Sequence, residues 1–250
     1  MEAIRRFRLP RGKAALWFLG QSGFVFRGGR TTLAIDPYLS DSIGRRDTRF
    51  SRRYPPPILP RDLHVDILVI THDHLDHLDP ETLRAYPHQR KTTWIGPRLV
   101  CRKLEKIGIP RASILRVDSG EEVRVRDVIV RGTYAVPTDP TVMDTTGYFF
   151  TFPGGKTAWH TSDTAFSELL CKAAPKCDVL LPVINGKWGN LGAEQAAELA
   201  RRVKPRFAIP HHHDLMELNA EDPRAFAVFV GKGRGLPRVH APVLLEPFVW

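Results

Sequence analysis

Apolar positions fall into two regimes along this chain. In the first part they form short runs, "ALWFL", "GFVFRG" and "TTLAID", separated by the turn-forming stretches "GQSG" and "RGGR". That pattern predicts a β-meander. After the proline-rich "RRYPPPILPRD" the run "VDILVITH" is continuous, as in a strand buried on both faces. "DPETLRAY" then predicts a helix, with Asp79 as N-cap and Pro80 at the first helical position.

Further along, "TTWIG" reads as a strand and "RLVCRKLEKIG" as a helix closed by Gly108. Strand patterning resumes in "EEVRVRDVIVRGTYAVP" and "GYFFTF". A second α/β half follows: "GKTAWHTSD" as a strand entering polar residues, "TAFSELLCKAA" as a helix, and "CDVLLPV" as a buried strand. "GAEQAAELARRVKP" is an amphipathic helix and "RFAIPHHHD" a strand ending in histidines. With no repeat, low-complexity segment or linker, one α/β domain over residues 1–250 is expected.

At 42% apolar and 26% charged, the chain falls in the ordinary globular class, with enough residues for a sizeable core. No run approaches the roughly 18 apolar residues of a membrane span, and the N-terminal "IRRFRLPRGK" lacks the form of a signal peptide. Cys101, Cys171 and Cys177 are odd in number and without CxxC spacing, which argues against a disulfide framework or a thiolate zinc site. A cytoplasmic location is therefore expected. The net charge of +10 favours anionic partners, and Arg45, Arg46, Arg49, Arg52 and Arg53 cluster in one stretch. Nucleic acid is the less favoured partner, because no aromatics interleave as a stacking platform.

Three polar clusters, "THDHLDH", "HTSD" and "PHHHD", each follow an apolar strand, and strand ends are where such sheets gather ligands. If the chain stays extended, His72 and His74 point the same way and Asp73 does not. Asp76 and His77, beyond the turn, face a second point. Such a set suits a binuclear zinc or manganese site. Asp163 can bridge two ions, its competing role being an N-cap for the helix after it. His160 reads as a supporting or core histidine more than a ligand. From the histidine run His212 is the chosen ligand, with His213 next. Asp36, at a strand end, either orients the first motif or caps a turn. Ser22 in "GQSGF" lies in a hairpin, not in a strand-to-helix elbow, and is taken as turn chemistry.

Together these residues resemble the metallo-β-lactamase superfamily, whose mark H-x-H-x-D-H is present as His72, His74, Asp76 and His77. Within it, "THDHLDHLD", "WIGP", "IGIPRASI", "MDTTGYFFTFPGGKTAWHTSD" and "AIPHHHDL" are most similar to the L-ascorbate-6-phosphate lactonase family, over about residues 14 to 230. The resemblance implies an αββα sandwich of two mixed β-sheets flanked by helices, and a homo-oligomer as an expected assembly. It implies metal ligation by His72, His74, Asp76, His77, Asp163 and His212. The superfamily's third histidine of the first metal site is missing, and Asp139 in "TDPT" matches an aspartate of the lactonases. An oxygen ligand there makes Mn2+ more plausible relative to Zn2+. Lys187 and Trp188, in the counterpart of a glycine-rich loop over the site, either close a turn or contact the substrate.

The expected reaction is hydrolysis by metal-bound hydroxide, with Asp76 and His77 as the catalytic pair and Asp76 orienting the nucleophile. The leading expectation for the substrate is a small anionic ester or lactone, its charge held by Arg52 and Arg53. The alternative is a phosphodiesterase acting on nucleic acid or a phospholipid head group. "RRYPPPILPRDLHVDILVITHDHLDHLD" resembles the phospholipase D branch that acts on N-acyl phosphatidylethanolamines. A third reading is a non-catalytic metal-binding protein on a degenerate scaffold.

Overall fold

The computed structural model describes residues 1–250. Its first half runs α1 (Glu2–Arg6), β1 (Ala14–Gly20), β2 (Gly23–Gly28), β3 (Thr31–Ile35), β4 (Ile67–Val69), α2 (Pro80–Ala85), β5 (Thr93–Gly96), α3 (Arg98–Ile107) and β6 (Ile114–Arg116). The second half runs β7 (Glu122–Val125), β8 (Val128–Thr133), β9 (Gly147–Phe152), β10 (Lys156–His160), α4 (Glu168–Ala173), β11 (Val179–Leu181), α5 (Ala193–Val203), β12 (Phe207–Ala208), α6 (Pro223–Val230), β13 (Arg238–Val239) and β14 (Phe248–Val249).

Two seven-stranded mixed sheets result, ordered β14-β1-β2-β3-β4-β5-β6 and β13-β12-β11-β10-β9-β8-β7. Period-2 alternation explains how they pack. In β1, Leu16 and Phe18 enter the layer between the sheets with Phe26, Ile67, Val130, Phe150 and Leu181. Ala15, Trp17 and Leu19 face the opposite way, onto the α2 and α3 side with Leu83, Val100 and Leu104. On the far side Trp159 and Leu180 pack against α5 and α6 through Ala196, Ala200 and Phe226. Helix, sheet, sheet, helix is the αββα arrangement.

The meander is antiparallel as expected, whereas β3-β4-β5-β6 and β10-β11-β12-β13 are parallel, so several strand ends open on one edge. Asp79 caps α2 by accepting from the Glu81 and Thr82 amides, both at 3.2 Å. Gly108 closes α3 with φ +102°. Two expectations need correction. The helix read from Thr164 starts only at Glu168, where Ser167 Oγ accepts the Leu170 amide at 3.0 Å, so Asp163 is not its N-cap. Strand β4 ends at Val69, and residues 72–74 form a bend instead of continuing extended. Helices α1 and α6 and strands β6, β13 and β14 were not anticipated. No helix is long and apolar enough to cross a membrane.

Candidate metal centre

Two histidines of the first motif, His72 and His77, are anchored by the end of β3. Asp36, buried in the left-handed region at φ +43°, accepts the Thr71 amide at 2.8 Å and the Thr71 hydroxyl at 2.7 Å. It also accepts His77 Nδ1–H at 2.7 Å. Thr71 Oγ1, its own proton given to Asp36, lies 3.0 Å from His72 Nδ1 and can accept from it. The outer nitrogens of His72 and His77 are thus occupied, and the inner ones are the atoms that can present a lone pair once they carry no proton.

The bend over residues 72–74 does what an extended strand was expected to do, since His72 Nε2 and His74 Nδ1 come within 3.1 Å of each other. Asp73 points away and pairs with Lys103 at 2.6 Å. Two sets of side chains then have ligand atoms within 4.8 Å of one another: His72, His74 and Asp163, and Asp76, His77 and His212. Asp163 touches both sets, with Oδ1 3.4 Å from His77 Nε2 and Oδ2 3.4 Å from His212 Nε2. His212 Nε2 lies 3.2 Å from Asp76 Oδ2.

His77 Nε2 and Asp163 Oδ1 are buried without any hydrogen-bond partner. Orphaned polar atoms facing each other in a dry interior are costly unless something binds between them. Burial alone would pull the His77 pKa down. The Asp76, Asp163 and Asp36 carboxylates outweigh it and raise that pKa to about 10. Burial likewise pushes Asp76 up, while His77 and His212 hold it well below the usual carboxylate range. A proton on His77 occupies the place a divalent cation would take, and a mixed imidazole and carboxylate donor set fits such an ion.

The remaining sequence candidates separate clearly. Asp139 Oδ2 sits 3.2 Å from His74 Nε2, on the outer nitrogen, so it supports His74 from behind and belongs to neither ligand set. His160 has both nitrogens in use, Nε2 against Ser22 O at 3.1 Å and Nδ1 accepting the Ser162 amide at 3.2 Å, and stacks on His211 at 4.0 Å. His213 is buried against the Phe18 ring at 5.6 Å, outside both sets. Trp188 is 53% exposed, stands over the cavity, and meets the Phe50 ring at 5.8 Å. Lys187 is exposed and does not line the cavity.

Arg52 and Arg53 do not reach the cavity. Arg52 is committed to carbonyl oxygens, those of Tyr38 at 2.8 Å, Tyr54 at 3.1 Å and Ser40 at 3.3 Å, and its guanidinium lies over the Tyr38 and Tyr54 rings. Arg53 pairs with Asp214 at 2.6 Å.

Sequence reasoning missed the amides that fix the centre. Gln21 Nε2 donates to Asp76 Oδ2 at 2.9 Å, Asn190 Nδ2 to Asp163 Oδ2 at 2.8 Å, and the Asn219 amide lies 2.8 Å from His212 Nδ1. Gln21 and Ser22, read as plain turn chemistry, are fully buried there. Gln21, Asp36, Ser162 and His212 are all non-glycine residues with φ between +43° and +63°. Such strain, about 1–3 kcal/mol each, persists only where surrounding contacts enforce it, and it clusters at functional sites.

Two facing sheets with a histidine and aspartate cluster where their strand ends meet define a metallo-β-lactamase-type protein. The chain belongs to that superfamily: the family described as "Beta-lactamase superfamily domain" matches residues 31–213. It is 27% identical over 218 residues to a UPF0173 protein of Pyrococcus furiosus, covering 86% of this chain and 90% of the relative. It is 22% identical over 297 residues to a probable L-ascorbate-6-phosphate lactonase of Salmonella heidelberg, covering 100% of this chain and 82% of the relative. Among solved structures, a metallo hydrolase of the archaeon Ignicoccus hospitalis superposes with a TM-score of 0.76 at 20% identity, over 95% of this chain and 98% of the other.

Proposed function

We propose that the protein is a metal-dependent hydrolase that adds water to the carbonyl carbon of a small ester or lactone. The observation that carries this reading is the buried pair His77 Nε2 and Asp163 Oδ1, 3.4 Å apart, neither hydrogen-bonded, and accompanied by four further candidate ligands. A metallo hydrolase among the structural neighbours and a probable lactonase among the relatives support it.

His72, His74 and Asp163 would hold one ion, and Asp76, His77 and His212 a second, with Asp163 also within 3.4 Å of His77 and His212. When bound, a divalent ion such as Mn2+ or Zn2+ lowers the pKa of water to about 7 and stabilises negative charge on the substrate oxygen. The protein's own groups do the positioning. Asp36 and Thr71 keep the inner lone pairs of His77 and His72 directed at the centre. Asp139 holds His74 from its outer nitrogen. Asp76 lines the cavity with one oxygen fixed by Gln21, where it can take a proton from the attacking water and return it to the leaving group.

The test compares opening of a γ-lactone with hydrolysis of bis(p-nitrophenyl) phosphate, on protein loaded with Mn2+ or Zn2+ and on His72→Ala, with metal content measured in parallel. Lactone opening that needs metal and falls at least about a hundredfold in the variant is expected. Neither activity, or both surviving the substitution, would overturn the proposal. Phosphodiester cleavage alone would favour the phosphodiesterase reading.

A further inference from the structure

The cavity over the centre has a volume of about 450 Å³, the size of a small-molecule site. Its wall contains three aspartates, Asp76, Asp139 and Asp163, and no lysine or arginine. The arginine-rich segment beside it is spent elsewhere. Arg45 pairs with Glu81, Arg49 with Asp47, Arg53 with Asp214, and Arg52 with backbone carbonyls. Arg46 and Lys187 are exposed and outside the wall. The rest of the lining is uncharged amide, hydroxyl and imidazole groups near the centre, Gln21, Asn190, Asn219, Thr138, His74 and His212, and an apolar patch of Ile43, Phe50, Trp188 and Met216. Trp188 is held there at some cost, in the left-handed region at φ +49° and half exposed, in a loop with Gly186 and Gly189 also at positive φ.

We infer, on the hydrolase reading above, that the substrate is uncharged and carries an aromatic or branched aliphatic group that packs on Phe50, Trp188, Ile43 and Met216. In an ester or lactone the reacting carbonyl occupies the centre, whose ions would offset Asp76 and Asp163, so the rest of the molecule extends onto the patch of Phe50, Trp188, Ile43 and Met216. An anionic group against those four side chains gives up hydration without gaining a lysine or arginine. An aromatic ring there covers the exposed Trp188 indole and the half-buried Phe50 ring. The chain's net charge of +10 therefore does not describe its substrate.

The experiment uses a matched pair with the same electrophile, 4-ethylbenzyl acetate and 4-(phosphonomethyl)benzyl acetate, on metal-loaded protein. The neutral ester is expected to have a kcat/KM higher by at least about thirtyfold. Phe50→Ala and Trp188→Ala should each raise its KM about five- to tenfold while kcat stays within about twofold, and Trp188→Phe should recover most of the loss. Arg46→Ala should leave both esters unchanged. Calorimetric binding of the two corresponding inert N-benzylacetamides gives a readout independent of turnover and should show the same order. Equal or better use of the phosphonate ester, a KM indifferent to Phe50 and Trp188, or loss of phosphonate turnover in Arg46→Ala or Lys187→Ala would overturn the inference. Should neither ester be cleaved, the hydrolase reading fails, and the binding order alone decides whether the wall selects a neutral ligand.

Discussion

In an Asp36→Asn protein the side chain keeps its shape in a fully buried position, and its remaining oxygen can still accept the Thr71 amide now held at 2.8 Å. The other oxygen becomes an amide NH2. It faces the Thr71 hydroxyl at 2.7 Å and His77 Nδ1 at 2.7 Å, both of which donate to the native carboxylate. To accept from that amide, His77 must present a lone pair at Nδ1 and carry its proton on Nε2, the atom facing Asp163 and Asp76. That is the wrong tautomer for holding a cation. Loss of an orienting carboxylate behind a ligating histidine costs about 10- to 100-fold in metal affinity, or roughly 1.4–2.7 kcal/mol. Replacing the charge-assisted bonds should also lower the stability of the metal-free protein by about 1–3 kcal/mol. Competition with a fluorescent chelator for Zn2+ and Mn2+ measures the first effect, and urea unfolding followed by circular dichroism the second. A folded Asp36→Asn protein with native affinity for both metals would refute the orienting role of Asp36.

Burial lowers the pKa values of His160 and His213 to about 4 each. Their unfolded-state value is about 6.5, so the unfolded chain takes up protons first as pH falls: stability is fully present above about pH 6.5 and is lost toward pH 4. In His213→Leu the fall in unfolding free energy between pH 7.5 and 4, from urea titrations, should shrink by about 3 kcal/mol; an unchanged fall would show that this ring takes up its proton in the folded protein as readily as in the unfolded chain. Arg52→Met keeps the stem but strands the carbonyls of Tyr38, Ser40 and Tyr54, and should destabilise the fold by about 2–4 kcal/mol with KM unaltered. A raised KM in a protein of native stability would instead return Arg52 to substrate binding.

Local pattern determined a good deal of this protein. Alternation in "ALWFL" and "GFVFRG" fixes strands with two distinct faces, because successive side chains of an extended chain must point to opposite sides. The apolar run before "THDHLDH" marks the strand that carries the motif, although a bend and not an extended chain brings His72 beside His74. Asp163 and His212 were legible for the same reason, as polar groups at strand ends. Tertiary structure alone decided what surrounds them. Asp36 meets His77 from 41 residues away and Gln21 meets Asp76 from 55, contacts set by sheet register and by left-handed residues that no hydrophobic pattern marks. The arginines show the same division. Their number and clustering are in the sequence, but which carboxylate or carbonyl each one finds depends on distances of a few ångströms between separate segments, and those distances leave the cavity wall without an arginine.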